Sequence, residues 1–160
     1  MGHASAALEH WKKRVGTEEG VGEWFAVDQT RINAFADATL DHQFIHIDPE
    51  KAAKLSPYKV TIAHGFLTLS LIPYLGGKIP PAEPAAYQGV VMGINYGLDK
   101  VRFPSPVTVG ARIRARRSLA EAELIGRSTI QLKQIVTIEV EGESKPACVA
   151  ETLTRMVYSD

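Results

Sequence analysis

The sequence predicts an α+β chain in which a long antiparallel sheet wraps one central apolar helix. Helical patterns fill the first half and long strand patterns the second. In HGFLTLSLIPYLGG, residues 64–77, Phe66, Leu67, Leu69, Leu71, Ile72, Tyr74 and Leu75 cover nearly every side of a helix. A helix apolar all round is buried all round, so it needs a wrapper. Period-two alternation beyond residue 107 supplies one.

The elements follow in order. Residues 4–14 form a short helix ended by Gly16, and EWFAV, 23–27, is a first strand. Asp28 or Thr30 caps the next helix, whose Ile32, Phe35 and Ala36 have the i, i+3, i+4 spacing of a buried face. After the DHQFIH loop, Asp48 as N-cap and Pro49 at the first helical position start a helix over 49–55. Gly76-Gly77 stops the central helix and Pro73 bends it. The proline-rich 78–87 lies at the surface. Residues 88–103 hold a strand, bulged near Gly93 or Gly97. In VTVGARIRARR, residues 107, 109, 111, 113 and 115 alternate apolar with polar neighbours, and Ile130, Leu132, Val136, Ile138 and Val140 do so in the next strand. EGES, 141–144, makes a hairpin into a last strand over 147–158.

Length and composition set the bounds. One domain over 1–160 suits 160 residues, with enough chain to bury a core. At 45% hydrophobic and 22% charged the composition is that of a globular protein, and a net charge of zero gives a nucleic-acid partner no support. One cysteine, Cys148, excludes an internal disulfide framework and a multi-cysteine zinc site, which fits a reducing cytoplasm. Neither a signal peptide nor an apolar run long enough to span a bilayer is evident.

DHQFIH, 41–46, carries the chemistry, and three readings compete for it. As a metal site, His42 and His46 have the spacing of the zinc-protease H-E-x-x-H, but Gln43 replaces the glutamate that must take a proton, and a third ligand is not obvious. As a plain loop, its Asp and His cap or solvate. As an acid/base pair, Asp41 and His46 diverge by about 140° on a helix but can converge on one water where a loop reverses direction. His42 then points away.

FADATLDHQFIHIDPEKAAK, followed by HGFLTLS, resembles the MaoC-like (R)-specific enoyl-CoA hydratases, whose pattern is close to S-G-D-x-N-P-x-H-x-D-P, then H-G-M and a helical serine. The likeness extends over the whole chain, YGLDKVRFPSPVTVG included, and is strongest to the NodN-like branch. It implies the hot-dog fold, a sheet wrapped around a helix. It implies that Asp41 and His46 match the catalytic aspartate and histidine. Gly65 matches the glycine whose N–H points at the thioester oxygen, and Ser70 the serine supporting the site from the central helix. The family's Gly before Asp is Leu40 here, and its Asn-Pro is Gln43-Phe44.

The resemblance implies hydration of trans-2-enoyl-CoA to (R)-3-hydroxyacyl-CoA, with an acyl-CoA thioester substrate, no cofactor, no metal and a homodimer. A hot-dog thioesterase and a non-catalytic acyl-binding subunit are the alternatives. His64 is read as structural, capping or bonding to the loop. Arg112, Arg114, Arg116, Arg117 and Arg127 are read either as contacts to coenzyme A phosphates or as the solvated face of a strand. Arg102 is as readily a structural ion-pair partner.

Overall fold

A computed structural model describes residues 2–159. Its helices are α1 (His3–Arg14), α2 (Gln29–Thr39), α3 (Phe44–Ile47), α4 (Pro49–Leu55), α5 (Gly65–Ser70) and α6 (Ile72–Gly76). Its strands are β1 (Thr17–Val21), β2 (Phe25–Ala26), β3 (Val90–Arg102), β4 (Arg112–Ile125), β5 (Thr129–Val140) and β6 (Cys148–Tyr158). The sheet is antiparallel in the order β1-β4-β5-β6-β3, with β2 also on β4.

The core sits between the α5–α6 segment and the inner sheet face. Leu67 and Leu75 meet Ile113, Ala115, Val136 and Ile138 there, with Val27 and Ile32 beside them. A second cluster lies under α1, where the Trp11 indole N–H donates to the Tyr158 hydroxyl at 2.9 Å, and that hydroxyl donates to the Ala86 carbonyl at 2.8 Å. Each buried polar tip is thereby satisfied.

Asp28 is the N-cap of α2, accepting from the Arg31 N–H at 2.9 Å, and Asp48 caps α4 by accepting from the Lys51 N–H at 2.9 Å, with Pro49 following it. Ile32 and Ala36 are buried as their spacing predicts.

Several expectations are corrected. The first strand is TEEGV, whose glutamates pair with arginines of β4, while only Phe25–Ala26 of EWFAV is strand. The strand expected from Val107 is broken at Gly110, which holds φ +83° in a turn; Val107 and Val109 instead bond to Ala63 and Thr61. The 78–87 stretch is not simply a surface loop. Ile79 and Ala86 are buried, and Tyr87 packs edge-on against Trp11. Register shifts in β3 fall between Asn95 and Gly97, as the glycine suggests, and also at residues 90–92 and 98–100, but not at Gly93.

The central helix departs most from its pattern. It is split, with Leu71 between α5 and α6, and Pro73 has no N–H to continue the ladder. Nor is it buried all round. Phe66 is 69% exposed, beside Phe103, and Tyr74 48%, edge-on to Phe25.

Candidate active site

The DHQFIH segment is part turn and part helix. Leu40, the C-cap of α2, takes a left-handed φ of 63°, which swings Asp41 away from the helix. Gln43 then starts the single turn of α3, on which His46 stands. The Ile62 N–H donates to the Ile45 carbonyl at 3.0 Å, so the 61–63 segment lies beside α3 and delivers His64 to the same place. Gln29, in the first turn of α2, clamps both segments. Its Nε2 donates to the His46 carbonyl at 2.7 Å, and its Oε1 accepts from the Thr61 hydroxyl. The sequence reading missed Gln29, because its two partners are distant in the chain.

Asp41, His46 and His64 converge, each offering one ligand atom within 4.8 Å of the others. The His46 and His64 rings stack with centroids 3.8 Å apart. Both imidazoles are buried, whereas the Asp41 side chain is 54% exposed. His46 Nδ1 lies 2.7 Å from the Ile62 carbonyl, an acceptor, so Nδ1 carries the proton and Nε2 is left with its lone pair. Burial lowers the His46 pKa; the Ile62 bond opposes this, His64 adds to it, and Asp41 opposes it. His64 Nε2 donates to the Asp41 backbone carbonyl at 2.9 Å, while its buried Nδ1 has no partner among the described residues. His64 therefore bonds to the loop, in the manner the sequence suggests.

His42 turns away to Asp37, at 2.9 Å. Of the two histidines in the metal reading, only His46 is therefore in place, and Asp41, His46 and His64 are the residues that could hold an ion. Two of their nitrogens, His46 Nδ1 and His64 Nε2, are already committed to carbonyls.

Gly65 opens α5 immediately after His64. N–H groups of a first helical turn have no acceptor within their own helix. An added Cβ at Gly65 would meet the Phe103 ring at 3.1 Å, so the backbone lies tight against that ring. Ser70 is exposed rather than buried, and its hydroxyl donates to the Phe66 carbonyl one turn back at 2.7 Å. It is apart from the Asp41–His46–His64 cluster and lines a cavity of about 430 Å³ with Leu69, Leu98 and Thr152. A second cavity of about 480 Å³ shares Ile72, Pro73, Asn95 and Thr152 with it and runs on along α6.

The arginines are largely accounted for by ion pairs. Arg112 meets Glu141, Arg114 meets Glu139, Arg116 meets Glu18 and Glu139, and Arg117 meets Glu19. That favours the strand-face reading for the first three. Arg102 donates to its neighbour's carbonyl, Val101, at 2.7 Å, and among the described residues it forms no ion pair.

A family model described as "MaoC like domain" matches residues 11–141. The chain belongs to that family. The relatives of this MaoC-like chain include 3-hydroxyacyl-thioester dehydratase Z of Mycobacterium tuberculosis, 50% identical over 142 residues that make up 89% of this chain and 90% of that one. Nodulation protein N of Rhizobium leguminosarum bv. viciae is 50% identical over 141 residues, 88% of this chain and 85% of its own. The crystal structure of a MaoC-like dehydratase from Rhodospirillum rubrum superposes with a TM-score of 0.70 at 18% identity, covering 91% of this chain and 94% of that one. The fold is therefore the hot dog, and the MaoC-like chain is an enzyme of the hydratase/dehydratase type.

Proposed function

We propose that this MaoC-like enzyme reversibly hydrates trans-2-enoyl-CoA to (R)-3-hydroxyacyl-CoA, with Asp41 and His46 activating the water. The observation that carries the reading is the state of His46. Its Nδ1–H is tied to the Ile62 carbonyl, so Nε2 is the free base, and burial lowers the pKa of the ring, which favours that neutral form. A separation within 4.8 Å between Asp41 and His46 suits one bridging water.

In the forward direction the Asp41 carboxylate accepts one hydrogen of the water and orients it. His46 takes the other proton as the water oxygen bonds to C3. The electron pair of the double bond moves toward the thioester carbonyl, and the proton held by His46 passes to C2. Dehydration reverses each step. Charge that develops on the thioester oxygen is met by the Gly65 N–H; such a donor in a site closed to water is worth about 3 to 4 kcal/mol of transition-state stabilisation. Ser70 acts as a support, holding the α5 backbone through Phe66. His64 is a positioning residue, holding the Asp41 backbone and stacking on His46. The relative named as a 3-hydroxyacyl-thioester dehydratase supports the substrate class.

The test is loss of the conjugated double bond of short and medium trans-2-enoyl-CoA, with free thiol followed in parallel. Wild type removes conjugation without thiol release, and folded Asp41→Asn and His46→Gln do not. Thiol release instead would identify a thioesterase. Binding without turnover would identify an acyl-binding subunit.

The active form is proposed to be a homodimer joined through β3 and the open side of α5–α6. Val91, Met92, Ile94, Tyr96 and Leu98 are all exposed on this strand, and Phe66 and Tyr74 on the helices. Beyond its bonds to β6, β3 is the free edge of the sheet.

A further inference from the structure

The inner face of a sheet that wraps an apolar helix should be apolar throughout, and here it is not. On β4 the inward positions are Ile113, Ala115, Arg117 and Leu119, so an arginine takes a core slot. On β5 they are Ile130, Leu132, Gln134, Val136 and Ile138, so a glutamine takes another. Arg117 lies opposite Val136 and Leu119 opposite Gln134, making the two polar residues diagonal neighbours across the strands. The row continues. Gln134 pairs with Thr152 on β6, and Thr154, next on that face, pairs with Asn95 on β3.

Glu19 joins the row by a backbone device. In β1, Glu18 pairs with Ser118 and Gly20 with Arg117, which leaves Glu19 as the extra residue of a bulge. A bulge redirects a side chain. Glu18 bonds outward to Arg116, while Glu19 is buried and accepts from Arg117 Nε at 2.9 Å and Gln134 Nε2 at 2.6 Å. Gly76 leaves room for the guanidinium; a Cβ there would stand 3.2 Å from Arg117 Nη1.

A buried ion pair is a poor source of stability compared with apolar packing of the same volume. This one opens on space. Arg117, Gln134, Thr152, Thr154 and Asn95 all line the 480 Å³ cavity, which joins the cavity beside Ser70. We infer that this polar row is a specificity subsite that accepts an acyl chain bearing an uncharged oxygen substituent, a hydroxyl or carbonyl, on its distal part. The inference rests on the acyl-thioester reading above and deepens it. Arg117 supplies donors beyond the one given to Glu19, and the threonine hydroxyls and amides can both donate and accept. Arg117 and Glu19 cancel in charge, so a tail carboxylate would meet Glu19 without a free cation to answer it. The subsite lies at the α6 end of the helix pair, past the cavity beside Ser70 as counted from Gly65, which places it against the distal part of a bound chain.

Direct binding tests this without turnover. The probes are octanoyl-, decanoyl- and dodecanoyl-CoA, their ω-hydroxy counterparts and ω-carboxydecanoyl-CoA, titrated calorimetrically into the whole protein. At one of these lengths the ω-hydroxy ligand binds about tenfold more tightly than the plain chain, the worth of one net hydrogen bond, and the ω-carboxy ligand binds more weakly than the ω-hydroxy one. Thr154→Val reduces that ratio, and the Glu19→Gln/Arg117→Gln pair, which keeps the row neutral, reduces it further. Should the paired variant fail to fold, Thr154→Val and Gln134→Leu carry the test. Equal or tighter binding of plain chains at every length overturns the subsite while leaving hydration untouched. A retained hydroxyl preference without hydration of any enoyl-CoA overturns the proposed function alone. No binding of any acyl-CoA overturns both.

Discussion

The protonation of His46 decides whether the proposed pair can act. Its ordinary pKa is 6.5, and burial holds it below that in the fold. Near neutral pH the base form then predominates, so the wild-type kcat/KM is expected to hold through neutrality and to fall on the acid side, as His46 takes up its proton. The effect on stability has a definite sign. Below 6.5 the unfolded chain takes up the proton more readily than the folded one, so acid destabilises the protein through this residue, and raising the pH restores stability. A rate profile falling above 6.5 instead would mean that the protonated ring is the working form. The spacing of Asp41 and His46 was legible in the sequence because both stand in one short segment. The bond from His64 to the loop was legible too, but its stacking on His46 was not, since that depends on the bridge that lays 61–63 beside α3. Gly65→Ala pushes a methyl against the Phe103 ring at the point where the thioester is proposed to bind. Phe103 is 40% exposed and can yield, so the expected loss is in kcat rather than in melting temperature. An unchanged kcat would remove Gly65 from the site.

At the scale of the element, the caps were the most legible feature, because a side chain that caps a helix sits next to it in sequence. Asp28 and Asp48-Pro49 both act where their residue types suggest. The first strand was hidden because TEEGV carries no apolar alternation, and its glutamates make sense only beside arginines about a hundred residues away. The same long-range logic hid the polar row, which reads as gaps in otherwise apolar strands. One departure from the family pattern becomes physical at this scale. Leu40 occupies a left-handed C-cap where the pattern has glycine, and a side chain there costs about 1 to 2 kcal/mol. Leu40 is 80% exposed, so it recovers little of that by packing. After the entropy lost by a glycine, Leu40→Gly is expected to stabilise the protein by about 0.5 to 1 kcal/mol, raising Tm by roughly 2 °C. Thermal unfolding checks it, and a lower Tm would show that Leu40 is held by contacts the single chain does not reveal.

The whole molecule poses a question that no single element answers: what covers the side of α5–α6 that the sheet leaves open. An all-round apolar helix predicts complete burial, yet Phe66 and Tyr74 face outward, and β3 exposes five large apolar side chains along a free edge. A thirteen-residue edge strand that exposes five large apolar side chains is an aggregation hazard unless something pairs with it. A second copy satisfies both demands at once, since a two-fold axis at β3 would pair the strand with itself antiparallel and bring the partner's surface toward the open helix face. Stable interfaces bury on the order of 1,600 Å² in total, so β3 alone is not the whole contact and the flanking helix residues belong to the proposed interface. The expected outcome is a dimer by sedimentation equilibrium for the wild type. The double substitution Ile94→Lys/Leu98→Lys should give a monomer, because it places like charges near the axis in a desolvated contact. A wild-type monomer at micromolar concentration would sink the proposal, as would a charged variant that remains dimeric, and the exposed face would then need a different partner.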